Sequence, residues 1–95
     1  MFLSTYHFDG PGLVPAYDRL RQHMPSEALM LHLCAVGENG LTVLDACPDR
    51  ATFTAFSTSP QFRAALVAAG LPAPRIEPLG DLHEIVVAAP TGTAR

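Results

Sequence analysis

The 95-residue chain has no tryptophan, only two cysteines and few charged residues, which make up 16% of it. Two cysteines do not make a disulfide framework, so we expect reduced thiols and a cytoplasmic protein. Six lysines and arginines against nine acidic residues give a net charge of -3 and no basic stripe for phosphate groups, which argues against nucleic-acid binding. No apolar run approaches the roughly twenty residues that a membrane-spanning helix needs, so we expect no membrane partner. The first residues lack the basic flank of a signal peptide and predict a strand.

Hydrophobic residues are abundant, in contrast: they make up 48% of the chain, and its mean hydropathy is +0.21. A chain of this length forms one domain and buries only about 60–65% of the surface that its unfolded form exposes. The apolar surface exceeds what a small monomer easily hides, so the composition favours an oligomer. We expect residues 1–88 to form the domain and residues 89–95 to be a disordered tail.

A hairpin is predicted between residues 28 and 47, with its turn at residues 37–40. Its first strand, residues 28–36, is apolar on both faces, whereas an antiparallel strand with one face in water would alternate. Each face therefore needs a covering layer. The chain's own helices supply one layer, and we expect a second subunit to supply the other.

The segment before the hairpin predicts one strand and one helix. Residues 2–8 have the aromatic and β-branched content of a strand and end at a turn of glycine and proline. A short helix follows, with Pro15 in its first turn and its end at Pro25. Its apolar positions recur at helical spacing: Leu13, Tyr17, Leu20 and Met24.

The segment after the hairpin predicts a helix in two pieces and a last extended stretch. Asp49 caps the first piece, Ser59 caps the second, and Gly70 ends it. Residues 76–87 form the extended stretch. The order is then β-α-β-β-α-β, a ferredoxin-like α+β fold whose four-stranded antiparallel sheet carries the helices on one face. We expect the bare face to meet that of a second copy across a two-fold axis, which makes the homodimer an α/β barrel.

Residues 40–45, 51–56 and 68–74, together with a late His83, are similar to the dimeric α/β-barrel superfamily, which includes the antibiotic-biosynthesis monooxygenases. The resemblance implies a homodimer that acts without a cofactor on a hydrophobic aromatic or polyketide-like substrate, as a monooxygenase or a cyclase. The superfamily also contains haem-degrading proteins and isomerases, so the fold alone does not identify the reaction. This chain departs from common family patterns in two places, with Cys47 where many members carry tryptophan and Phe62 where one branch carries histidine.

His32 and Asp45, both in the hairpin, are the candidate catalytic residues. Side chains alternate along a strand, so a turn with an even number of residues puts both on one face, and a two-residue turn puts them opposite or one diagonal step apart. A carboxylate beside an imidazole raises its basicity, which makes His32 a candidate general base. Two alternatives stay open: the pair only satisfies its own hydrogen bonds in a half-buried sheet, or a three-residue turn with a bulge separates the two residues.

Further side chains are candidates for contact with a substrate: Tyr6, His7, Cys34, Cys47, Phe53, Phe56, Phe62 and His83. Leu66 is expected to bound the same pocket, and Tyr17 is a second phenol that could donate a hydrogen bond to a substrate oxygen. The cysteines belong to no metal-binding motif, so we expect no metal. The resemblance implies that no other cofactor is needed. Three functions remain open: a cofactor-free enzyme with a histidine base, a non-catalytic dimeric ligand-binding or accessory domain, and a haem- or metal-binding protein in which the histidines are ligands.

Overall fold

The structure is a computed structural model that describes residues 1–24 and 29–88. Its elements, in chain order, are β1 (Phe2–Asp9), α1 (Val14–His23), β2 (Leu31–Gly37), β3 (Gly40–Cys47), α2 (Arg50–Ser57), α3 (Pro60–Ala69) and β4 (Arg75–Asp81). The predicted order of elements is confirmed, including the break in the second helix. The predicted helix end at Pro25, the first residue of the hairpin and the tail at residues 89–95 lie outside the described residues. No described helix has the length and apolar character that a membrane crossing requires.

The four strands form one antiparallel sheet in the order β2-β3-β1-β4. In the hairpin, Gly37 is paired with Gly40, which leaves Glu38 and Asn39 as a two-residue turn. At Gly40 a Cβ atom would lie 2.3 Å from the carbonyl oxygen of Phe8 on β1. Only glycine permits so close an approach of two backbones, so this contact fixes the end of the hairpin against β1.

One face of the sheet is covered by all three helices. Alternate residues of β1 point toward them and are at most 3% exposed: Phe2, Ser4, Tyr6 and Phe8. The apolar members of this set pack with Leu41 and Val43 of β3 into the core. The helices contribute Ala16, Leu20, Phe53, Phe62, Leu66 and Ala69 to the same core. The ferredoxin-like α+β architecture is therefore confirmed.

Short polar contacts define the ends of the helices. Asp49 and Ser59 each accept a hydrogen bond from a backbone N–H in the first turn of α2 and α3, at 2.8 and 3.1 Å, as predicted for caps. Gly70 ends α3 with a φ of 85°, a left-handed conformation that favours glycine. Arg19 donates two hydrogen bonds, of 3.1 and 2.9 Å, to the carbonyl oxygen of Ala69, which ties α1 to the end of α3.

The opposite face of the sheet has no covering layer within the described part of the chain. Four of its side chains are leucines: Leu3, Leu31, Leu33 and Leu44. Leu33 is 55% exposed, although leucine is among the residues most often buried in folded proteins. The prediction that the hairpin is apolar on both faces is confirmed, and residues 1–24 and 29–88 cover only one of them.

The last strand is shorter than the predicted extended stretch of residues 76–87. Asp81, its final residue, is paired with Phe2, where β1 begins. Beyond this point β1 offers only the carbonyl of Met1, to which the backbone N–H of Leu82 donates at 2.8 Å. The chain therefore leaves the sheet, and the apolar side chains of residues 85–87 are exposed.

Candidate active site

A cavity lies between the buried face of the sheet and the helices. Its volume is about 160 Å³, close to the roughly 150 Å³ of an apolar protein cavity that holds benzene. Tyr6, Phe53, Phe56 and Phe62 form an aromatic wall. The ring of Tyr6 lies at the centre of this wall, with its centroid 6.4, 6.3 and 5.6 Å from those of Phe53, Phe56 and Phe62. The cavity thus has the size and lining of a site for one aromatic ring.

The polar side of the cavity is a row of residues across three strands. Asp45 of β3 is paired with Ser4 of β1 on one side and with His32 of β2 on the other. Nδ1 of His32 lies 2.5 Å from Oδ1 of Asp45, and the two side chains are 20% and 14% exposed. The two-residue turn therefore places His32 and Asp45 directly opposite each other, on the face that the helices cover. Their catalytic role stays a prediction.

Tyr17 of α1 is the third member of this polar group. Its hydroxyl lies 2.5 Å from Nε2 of His32, and its ring is within 9° of parallel to the imidazole. An ionised Asp45 only accepts hydrogen bonds. Nδ1 of His32 therefore carries the ring proton and donates a hydrogen bond to Asp45. Nε2 then accepts the hydrogen bond that the Tyr17 hydroxyl donates. Both nitrogens of a neutral His32 are therefore engaged by the protein.

Burial sets the ionisation of the groups around the cavity. It raises the pKa of Tyr6 to about 12 and also raises the pKa of Tyr17, so both phenols are protonated at neutral pH. Burial likewise raises the pKa of Asp45, while the hydrogen bond to His32 and the charge of Arg21 oppose that rise. The pKa of Asp45 is therefore above its usual value in spite of a favourable partner.

Most of the predicted contact residues line this cavity. In addition to His32 and Asp45, they are Tyr6, Cys47, Phe53, Phe56 and Phe62. Leu66 is buried in the core and does not reach the cavity lining, because it packs among the other apolar residues behind the aromatic wall.

The two cysteines lie apart and in different surroundings. Cys34 lies against Tyr17, outside the cavity lining, and the thiol of Cys47 donates to the carbonyl oxygen of Asp49 at 3.2 Å. Burial raises the pKa of both thiols, which keeps them protonated at neutral pH. Among residues 1–24 and 29–88, no group of three or more His, Cys, Asp and Glu side chains is arranged to hold a metal ion.

Besides Cys34, two predicted contact residues lie outside the cavity. His7 points to the uncovered face, because it is next to Tyr6 on β1 and neighbouring side chains of a strand point to opposite faces. There Nδ1 of His7 lies 2.6 Å from the Thr42 hydroxyl, and its Nε2 lies 3.0 Å from Asp9. His83 follows β4 and is exposed. The prediction that these two histidines reach the cavity is wrong.

Tyr17 and Arg21 also line the cavity: Tyr17 is predicted from the sequence as a hydrogen-bond donor to a substrate but not as a partner of His32, and Arg21 is not predicted at all. Tyr17 has a signal in the sequence, since it shares an apolar helical spacing with Leu20 and Met24, which also line the cavity. That spacing predicts which face of α1 meets the sheet but not which strand residue the phenol meets. Arg21 has no such signal, because a charged residue beside an apolar helix face is ordinarily solvated.

The fold and the cavity define a small ferredoxin-like α+β domain with a polar group enclosed by aromatic rings. The structure is similar to a solved structure from Deinococcus radiodurans described as a "putative antibiotic biosynthesis monooxygenase", with a TM-score of 0.64, 13% sequence identity, and coverage of 94% of this chain and 100% of that chain. No family profile matches the sequence, and no curated protein is significantly similar to it. The likeness to antibiotic-biosynthesis-monooxygenase-type structures is thus confirmed for the fold, which many different functions share.

Proposed function

We propose that this protein is an enzyme that removes a proton from a small hydrophobic aromatic or polyketide-like molecule and uses no cofactor for this step. His32 is the general base, and Asp45 orients its ring and stabilises the charge that it gains. The observation that carries the proposal is the pair of His32 and Asp45, joined at 2.5 Å, on the wall of a largely aromatic cavity. Interacting titratable groups in a cleft are characteristic of functional sites.

Loss of a proton prepares such a substrate for either of two reactions. The electron-rich anion can react with molecular oxygen, which is the first step of a cofactor-free monooxygenation. It can instead attack a carbonyl carbon of the same molecule and close a ring. The aromatic wall would keep water from the anion in both cases, and the protonated phenol of Tyr6 would be available as a hydrogen-bond donor to an oxygen.

The test is to incubate the protein in air with single-ring phenols and 1,3-diketones. Oxygen uptake and mass spectrometry of the products measure turnover. We expect His32→Ala to lower turnover at least about 100-fold, the smaller end of the usual contribution of a general base. His7→Ala is the matched control, since it removes a histidine from the other face of the same sheet and should leave turnover unchanged. Equal turnover in wild type and His32→Ala, with circular dichroism unchanged, would remove His32 from the mechanism.

A ligand-binding domain without catalysis is the second candidate. It is favoured by one observation, the engagement of both nitrogens of His32 by groups of the protein itself. Such a domain would bind ring-sized aromatic compounds saturably in calorimetry and form no product from any of them. Binding and product analysis on the same compounds therefore separate the two functions.

We propose further that two copies of the chain pair through the uncovered face of the sheet. The leucines of this face supply the apolar contact, and Arg75 and Glu77 of β4 lie on the same face, paired with His7 and Thr5 of β1. Opposite charges on one face suit a two-fold contact, because each charge can meet its opposite on the other copy.

Sedimentation velocity tests this pairing. Leu33→Asp places a charge among the leucines of this face and should convert a dimer to a monomer. Val67→Asp is the matched control, because Val67 is 78% exposed on α3, and it should leave the dimer intact. A wild-type protein that sediments as a monomer at all concentrations would contradict the proposal.

A further inference from the structure

Three side chains from three elements form one continuous chain of hydrogen bonds. Tyr17 of α1 contacts Nε2 of His32 on β2 at 2.5 Å, and Nδ1 of the same ring contacts Asp45 on β3 at 2.5 Å. The chain begins at a phenol that lines the cavity and ends at a carboxylate that is 14% exposed. With Asp45 ionised and His32 neutral, its direction runs from Tyr17 to Asp45, because the carboxylate can only accept and the phenol is the remaining donor.

This arrangement leaves His32 without a free lone pair. Nδ1 carries a proton toward Asp45, and Nε2 already accepts the hydroxyl hydrogen of Tyr17. A substrate that gave its proton directly to Nε2 would first have to displace the phenol. The oxygen of Tyr17, however, has two lone pairs, so that with the Cys34 thiol as a further hydrogen-bond partner it still keeps one lone pair for a substrate while its own hydrogen points at His32.

We propose that Tyr17 is a catalytic residue, the group that contacts the substrate and relays its proton to His32. The inference rests on the proposed function and adds the route of the proton. The O–H or acidic C–H bond of the substrate breaks, and its proton forms a new bond to the oxygen of Tyr17. The hydrogen that Tyr17 held passes to Nε2 of His32. The products are the substrate anion and an imidazolium beside the Asp45 carboxylate, and Tyr17 is again a neutral phenol.

The charges around the cavity suit this relay. Burial and the neighbouring Cys34 raise the pKa of Tyr17, so the residue remains a neutral carrier instead of ionising itself. Arg21 also lines the cavity, and its charge lowers the pKa of both Tyr17 and Asp45. A cation within electrostatic reach of both ends of the relay would stabilise the anion that the substrate becomes.

A chromogenic phenol can test the relay directly. 4-Nitrophenol has a single ring, titrates near neutral pH and turns yellow on ionisation, so its absorbance reports the transfer of its proton. We expect the dye bound to the wild-type protein to ionise at lower pH than free dye, with about tenfold more phenolate at a given pH, which corresponds to one pKa unit. Equilibrium dialysis measures binding in the same samples.

Two variants distinguish the relay from the proposed base. In His32→Gln the bound dye should titrate like free dye, and in Tyr17→Phe it should lose the shift to the same extent while still binding. His7→Gln is the matched control, because it alters a histidine with hydroxyl and carboxylate partners on the opposite face, and it should keep the wild-type shift. Circular dichroism checks that each variant is folded.

The outcomes separate two kinds of failure. A Tyr17→Phe protein whose bound dye keeps or exceeds the wild-type shift would overturn the relay and leave His32 as a base that Tyr17 merely covers. A dye that does not bind, or a shift that survives in His32→Gln, would overturn the proposed function itself. A Tyr17→Phe variant that fails to fold is replaced by Tyr17→Met, which keeps an apolar side chain without the hydroxyl, and the same readings apply.

Discussion

Replacement of Tyr6 by phenylalanine should make the protein resistant to alkaline unfolding. The phenol of Tyr6 is 3% exposed, and burial raises its pKa to about 12, above the usual value of 10.0. The raised pKa means that the folded state disfavours the tyrosinate. The protein therefore loses no stability from this group below about pH 10, and loses it progressively as the pH rises from there through the folded pKa.

The structure gives the size of this loss. A difference of about two pKa units corresponds to roughly 2.7 kcal/mol once both states have ionised. At about pH 11, halfway between the two values, the expected loss is about 1.4 kcal/mol. The Tyr6→Phe variant lacks the ionising group. Between about pH 8 and pH 11, its unfolding free energy should therefore fall by about 1.4 kcal/mol less than that of the wild type.

Urea unfolding followed by circular dichroism at the two pH values measures this difference. Each protein is compared with itself, so any cost of the substitution at pH 8, such as the loss of a hydrogen bond between Tyr6 and Ser4, cancels. The same pH dependence in both proteins would refute the reasoning. It would mean that the Tyr6 hydroxyl reaches water in the folded state, and that the aromatic wall of the cavity is open at this point.

Three other substitutions test how the fold holds the cavity. Gly40→Ala should cost more than about 2 kcal/mol of unfolding free energy, because its Cβ would lie 2.3 Å from a backbone oxygen, whereas Gly37→Ala, with its nearest contact at 3.7 Å, should cost far less. Phe62→Ala should cost about 3–5 kcal/mol in urea unfolding; a change as small as that in Val67→Ala on the exposed side of α3 would contradict the packing of the aromatic wall. Ser59→Ala should lower stability by about 1 kcal/mol through loss of the helix cap, and an unchanged midpoint would show that the cap is not needed.

The elements of this fold are predictable because short-range chemistry determines their ends. Asp49 and Ser59 cap helices with their own side chains, and Gly70 adopts a left-handed conformation where α3 stops. The hairpin is equally local, although the sequence leaves its turn length open: once the turn consists of Glu38 and Asn39, the two strands pair in the register that brings His32 to Asp45.

The rest of the candidate site depends on contacts between distant segments. Tyr17 meets His32 only because α1 lies across β2, and no local pattern specifies that crossing. The error on His7 has a simpler cause, since Tyr6 and His7 are neighbours on one strand and cannot both line one cavity. Strand alternation alone shows that only one of the two can line the cavity. Because an aromatic ring is the more readily buried, that residue is Tyr6.

The two halves of the cavity come from separate stretches of the chain, and this division bears on how such a protein can evolve. Tyr17, His32 and Asp45, which are joined by hydrogen bonds, all precede α2, whereas three rings of the aromatic wall, Phe53, Phe56 and Phe62, belong to α2 and α3. Substitutions in the helical pair can change the shape that the cavity accepts without altering the groups that handle the proton. In the course of evolution, the cavity could thereby come to bind a different ring-shaped ligand while the residues that transfer the proton stay the same.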